Sequence, residues 1–199
     1  MAAGSAIAAC TPFTLARREP ATLHRLTLLT TVPDNLPVLD RRLLIEPPTA
    51  ASGLNTARIA LRPDPMLLDY FANAQFVEVL PIMVQDLVRD SLDATGSLDV
   101  LGPDATGLRA DYVLRLHIQD FQAEYDRGLG QPPLINIRIQ LRLLGLPRRE
   151  SLATARGQQT LRADGTALET VIQGFDQAMG LVLRRIVTWT IEEIARQQR

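Results

Sequence analysis

The chain has 199 residues, of which 46% are hydrophobic and 22% charged; that is long and apolar enough for one well-buried core, and it excludes a disordered polymer. Its 21 basic residues, all arginine, and 22 acidic residues leave a formal charge of -1 with no dense basic run, so nucleic acid is not an expected partner. The single cysteine, Cys10, excludes an internal disulfide and offers no cysteine pair for a metal.

At the N-terminus, Ala6-Ile7-Ala8-Ala9-Cys10 fits the lipobox pattern: an aliphatic residue, two small residues, then the cysteine that accepts a lipid. The preceding apolar stretch from Ala2 is shorter than a full signal region of ~7–15 apolar residues behind a charged start. Either the true start lies upstream, or Cys10 is an ordinary buried thiol. On the first of these readings, residues 1–10 are expected to be a truncated signal and lipobox segment, and residues 11–21, with Arg17-Arg18-Glu19-Pro20, a polar non-helical linker. Residues 22–199 are expected to form the folded domain. No other stretch approaches the ~18 apolar residues that span a bilayer.

Thr22–Thr30, rich in Thr and Leu, predicts a first strand. Leu43-Leu44-Ile45 predicts a short central strand that leaves the sheet at Glu46-Pro47-Pro48, because proline cannot donate to a ladder. Ala51–Asn55 is a glycine-centred loop, Arg58–Arg62 alternates as a strand, and Pro63-Asp64-Pro65 separates it from a second extended piece, Leu67–Phe71. Helical spacing then starts at Phe76 and continues through Val79, Leu80, Met83, Leu87 and Leu92, with regular helix from about Pro81 to Ala94. Leu98–Leu101 is a short strand.

From residue 111 the period changes to two. Tyr112, Leu114, Leu116 and Ile118 share one strand face, while Arg115, His117 and Gln119 share the other. Ile135, Ile137, Ile139, Leu141 and Leu143 alternate with polar residues in the cleanest strand of the chain, and Ser151–Leu161 supplies a third. Residues 111–161 thus read as an antiparallel meander with one covered and one polar face. Gly128-Leu129-Gly130 sits between strands and is a loop, not a dinucleotide fingerprint. Thr166 and Glu169 have capping-box spacing before a long helix lined by Leu168, Ile172, Phe175, Met179, Val182, Ile186 and Ile194. Gly174 and Gly180 in that helix allow close backbone approach, and Trp189 is expected in the core or at its rim. The fold class is α+β: one largely antiparallel sheet with a long C-terminal meander, covered on one face by two main helices.

Little in the sequence points to catalysis. Its two histidines, His24 and His117, have no nucleophile or carboxylate at useful spacing, and no G-x-S-x-G or P-loop is present. Asp86, Asp90 and Asp93 ride on a polar helix face, where solvation is the simpler account. No cofactor or metal is expected, and the chain is not expected to be an enzyme.

The order Leu44-Ile45-Glu46-Pro47-Pro48, Gly53-Leu54, Arg58-Ile59-Ala60-Leu61-Arg62, Leu68-Asp69-Tyr70, Ala74-Gln75-Phe76 and a helix carrying Leu80-Pro81 and Leu87 resembles the ABC-type transport auxiliary lipoprotein family, which includes the paraquat-inducible protein C type. The meander and last helix extend the likeness over about residues 22–196. Phe76 stands where that family is expected to have Trp. The resemblance implies a periplasmic domain lipid-anchored at Cys10, working with an MCE-domain protein and an ABC permease and ATPase in intermembrane lipid transport, as a docking or conduit element. Thr11 in place of Asp implies the outer membrane, and self-association into a homo-oligomer is compatible with this reading. Leu54 and Tyr70 are candidate exposed contacts for a partner or lipid. The alternative is a free-standing soluble interaction domain, periplasmic or cytoplasmic, with no role in lipid transport.

Overall fold

A computed structural model of the protein describes residues 20–28, 35–102 and 109–198. Cys10 and linker residues 11–19 lie outside them. In chain order the elements are β1 (Thr22–His24), β2 (Arg42–Ile45), β3 (Thr49–Ala50), β4 (Arg58–Asp64), β5 (Leu67–Phe76), α1 (Leu80–Asp93), β6 (Asp99–Leu101), β7 (Tyr112–Glu124), β8 (Leu134–Gly145), β9 (Glu150–Arg162) and α2 (Leu168–Arg196).

All nine strands join one sheet organised around β7. Along one edge, β7 pairs antiparallel with β8 over its full length, and β8 pairs likewise with β9. Its other edge is shared end to end by three short parallel partners: β2 at residues 112–114, β3 at 117–118 and β4 at 122–124. Beyond these, β6 runs parallel to β2, β5 antiparallel to β4, and β1 parallel to β5. The α+β expectation therefore holds: the long ladders are antiparallel, and both helices pack into one core on one face.

The alternation of β7 and β8 determines which face that is. Leu114, Leu116 and Ile118 of β7, and Ile135, Ile137, Ile139, Leu141 and Leu143 of β8, are buried with Phe175, Met179, Val182 and Ile186 of α2. In β7 the pattern slips once. A bulge between Ile118 and Asp120 inserts a residue, after which Phe121 and Ala123, not even-numbered positions, face inward. The Phe121 N–H just past the bulge donates to the Gln122 side-chain oxygen at 2.8 Å. Phe121 stacks on Phe175 with centroids 5.4 Å apart, and Phe76 meets both edge-on at 5.9 and 6.2 Å. The aromatic position at the end of β5 is thus a core contact joining β5, β7 and α2.

Four local expectations need correction. Phe76 closes β5 and does not begin the helical stretch; its N–H donates to Ala57 O, and helix starts only at Leu80. The first strand ends at His24, because the Thr27 N–H and hydroxyl turn to the Asp176 carboxylate of α2 instead of a neighbouring strand. No side chain caps α2, whose N-cap is Ala167, so the Thr166–Glu169 capping box is absent. Of the two helix glycines only Gly174 serves close approach: a Cβ there would sit 3.0 Å from Ile135 Cγ1, whereas one at Gly180 would meet nothing within 4 Å.

Candidate functional site

Opposite the helices, the same strands present a polar face. Register places side chains on it in rows. Leu101, Leu44, Val113 and Leu144 form an apolar row across β6, β2, β7 and β8. Next come Arg115, Arg142 and Thr154, then Thr49, His117, Gln140 and Arg156 across β3, β7, β8 and β9. Past the bulge follow Asp120, Arg138 and Gln158.

The middle rows floor an open groove of about 430 Å³, lined by Glu46, Pro47, Thr49, Arg115, His117, Gln140 and Arg142. It exists because Pro47-Pro48 takes the chain out of β2 before β3 rejoins β7 three residues later, leaving Glu46 beside the ladder. Arg115 Nε and Arg149 Nη2 each reach a Glu46 oxygen at 2.5 Å. Burial pushes the Glu46 carboxyl up, but hydrogen bonds and charge from Arg115 and Arg149 outweigh it and hold the group below its ordinary value of 4.5. Thr49 Oγ1 and His117 Nδ1 are hydrogen-bonded at 2.8 Å. Arg115 and Arg142 stand directly opposite each other, a like-charge pair that is unfavourable across strands. The arrangement can recognise polar or anionic groups. Among the described residues, no group of His, Cys, Asp and Glu is placed to hold a metal ion, and no helix is long and apolar enough to cross a membrane.

The residues singled out from sequence lie elsewhere. Leu54 is 4% exposed and belongs to the core, so it offers no surface; the 3-10 turn Ser52–Leu54 folds it inward. Tyr70 is half-buried: its hydroxyl donates to Gly53 O at 2.8 Å and its ring lies 3.9 Å beneath the Arg58 guanidinium. With Leu54 in the core and Tyr70 engaged by Gly53 and Arg58, the two form no common exposed site. Asp86 and Asp90 both pair with Arg89, a surface ion-pair cluster. His24 keeps Nε2 buried without a hydrogen-bond partner. Trp189 packs, half-buried, on the core. The groove escaped sequence reading although the polar alternation of β7 and β8 was visible, because Glu46, Thr49 and Arg149 arrive from distant parts of the chain.

A family model described as ABC-type transport auxiliary lipoprotein component matches residues 25–187. The chain belongs to this family. Among solved structures, protein XCC0632 from Xanthomonas campestris is similar with a TM-score of 0.83 at 23% identity, over 89% of this chain and 99% of that one. The hypothetical protein CT253 from Chlamydia trachomatis is similar with a TM-score of 0.51 at 10% identity, over 78% and 98% respectively. At these identities the likeness is one of fold. No curated protein matches the chain. Membership of the auxiliary lipoprotein family associates the chain with ABC-type transport at the cell envelope.

Proposed function

We propose that the protein is a lipid-anchored accessory subunit on the periplasmic face of the envelope, attached at Cys10 and serving an MCE/ABC-type system that moves lipids between membranes. Membership of the auxiliary lipoprotein family over residues 25–187 carries this reading. The polar sheet face supports it in kind: one face is spent on the core, while the other presents a groove of arginine, histidine and amide groups suited to docking. The domain of residues 22–199 acts as docking or conduit element and performs no chemistry of its own, with energy supplied by the partner ATPase. Thr11 after Cys10 favours the outer membrane, and stable attachment calls for more than one acyl chain, since a single chain anchors only marginally.

Mass spectrometry of Cys10, after expression in a diderm bacterium behind a complete lipoprotein signal sequence, tests the anchor. Multiple acylation is expected, whereas an unmodified soluble protein removes the lipoprotein reading and leaves a free-standing interaction domain. Genes for an MCE-domain protein and a permease are expected next to this one.

A further inference from the structure

Among the described residues, four exposed apolar side chains gather at one end of the sheet, while Leu23, Val38 and others stand exposed singly elsewhere. Met66 is 97% exposed, and Leu67 and Leu68 follow it at 52% and 40%, all at the turn from β4 to β5. Leu129, 64% exposed, lies in the loop from β7 to β8. These two turns are neighbours, because β4 runs parallel to β7 with Arg62 opposite Glu124, and the Tyr125 N–H donates to Arg62 O at 2.9 Å.

The turn is held firmly. Pro63 and Pro65 restrict its backbone, the Met66 N–H donates to Asp64 Oδ1 at 2.9 Å, and the Arg62 guanidinium donates to Pro65 O. Near it, Arg162 grips Asp126 with both Nη atoms at 2.5 and 2.8 Å and Arg62 lies 3.5 Å from Glu124, while the Asp64 and Asp69 carboxylates accept from the Met66 and Tyr70 N–H groups. The apolar tip is therefore pre-ordered for contact with an apolar phase, and the charges nearest it are held by guanidinium or backbone N–H groups.

The direction of the first strand supplies the occupant. β1 is parallel to β5 with Thr22 opposite Ala74, so the chain before Thr22 arrives from the side of the Met66 turn. From Ala74 back to Leu67 is about 23 Å at ~3.3 Å per residue, and residues 11–21 can span about 36 Å when extended. An anchor at Cys10 thus has the reach to hold this end of the sheet against the membrane that carries it.

We propose that Met66, Leu67, Leu68 and Leu129 form a bilayer-contacting tip that seats the domain on its own membrane and turns the opposite end of the sheet toward soluble partners. This rests on the lipoprotein reading, but it can be tested apart from acylation. Cys10, the only cysteine, is coupled to a maleimide phospholipid in phosphatidylcholine vesicles, with and without brominated acyl chains that quench tryptophan on contact. Wild type, containing only Trp189, gives the baseline. In Met66→Trp the added emission should be lost in brominated vesicles. In Val38→Trp, equally open at 82% exposure but beside the start of β2, opposite the end of β7 that meets the turn, it should persist. An unquenched Met66→Trp on vesicle-bound protein, or equal quenching at both positions, overturns the tip and leaves a protein partner as the occupant of that end. Failure of the lipoprotein reading would appear separately, as unacylated Cys10 from cells.

Discussion

The two faces of the β7–β8 ladder are made of alternate residues of the same two strands, and they differ in how each side chain is satisfied. On the covered face, Phe121, Ile137 and Ile139 belong to the apolar core and are 0 or 1% exposed. On the polar face Arg115, Asp120 and Arg138 are satisfied by ion pairs with partners on other strands or loops, and Arg115 and Arg138 remain almost half exposed. Stability resides on the first face, and the docking role proposed above falls to the second. Substitutions should separate these roles.

The largest expected effect is on the covered face. Phe121→Ala removes a ring stacked between β7 and α2, and should lower unfolding free energy by about 3–5 kcal/mol in urea denaturation. Within α2 the two glycines should diverge. Gly174→Val forces atoms against Ile135 and Ala163 and should cost about 1–3 kcal/mol, while Gly180→Ala, with open space around its Cβ, should gain about 0.5–1 kcal/mol from helix propensity. Equal losses at both positions would contradict the packing described for α2.

On the polar face the effect should be smaller and dependent on pH. Glu46 has a folded pKa below its ordinary 4.5, so its stabilising contribution is complete above that value and fades as pH falls through the lowered one. Glu46→Gln should therefore cost no more than about 1 kcal/mol at neutral pH, because its arginine partners are about half exposed, and should flatten the acid limb of a stability-versus-pH curve.

Periodicity made the sheet faces legible from sequence. Alternation in β8 is unbroken, so every inward residue from Ile135 to Leu143 could be assigned in advance. In β7 the same rule holds only to Ile118, because a bulge shifts the register before Asp120 meets Arg138 and leaves no mark of its own in the sequence. Phe76 is ambiguous for a related reason: an apolar residue three before Val79 fits helical spacing, whereas its hydrogen bond to Ala57 and its pairing with His24, both distant in sequence, keep it in the sheet. The candidate site was less legible. Leu54 beside a glycine looked like a loop-tip residue, yet the 3-10 turn buries it. The groove depends on Glu46 meeting Arg115 and Arg149 across 69 and 103 residues of sequence, a proximity that local pattern cannot express.

The docking role proposed for the polar face is tested most directly by recovering the protein from native membranes with and without its groove. Wild type and the double variant Arg115→Glu/Arg142→Glu, both confirmed to be folded and membrane-bound, would be purified in mild detergent and their partners identified by mass spectrometry. The account predicts that an MCE-domain protein accompanies wild type and is lost from the variant. Recovery of that partner in equal amount with both proteins would contradict a docking role for the groove.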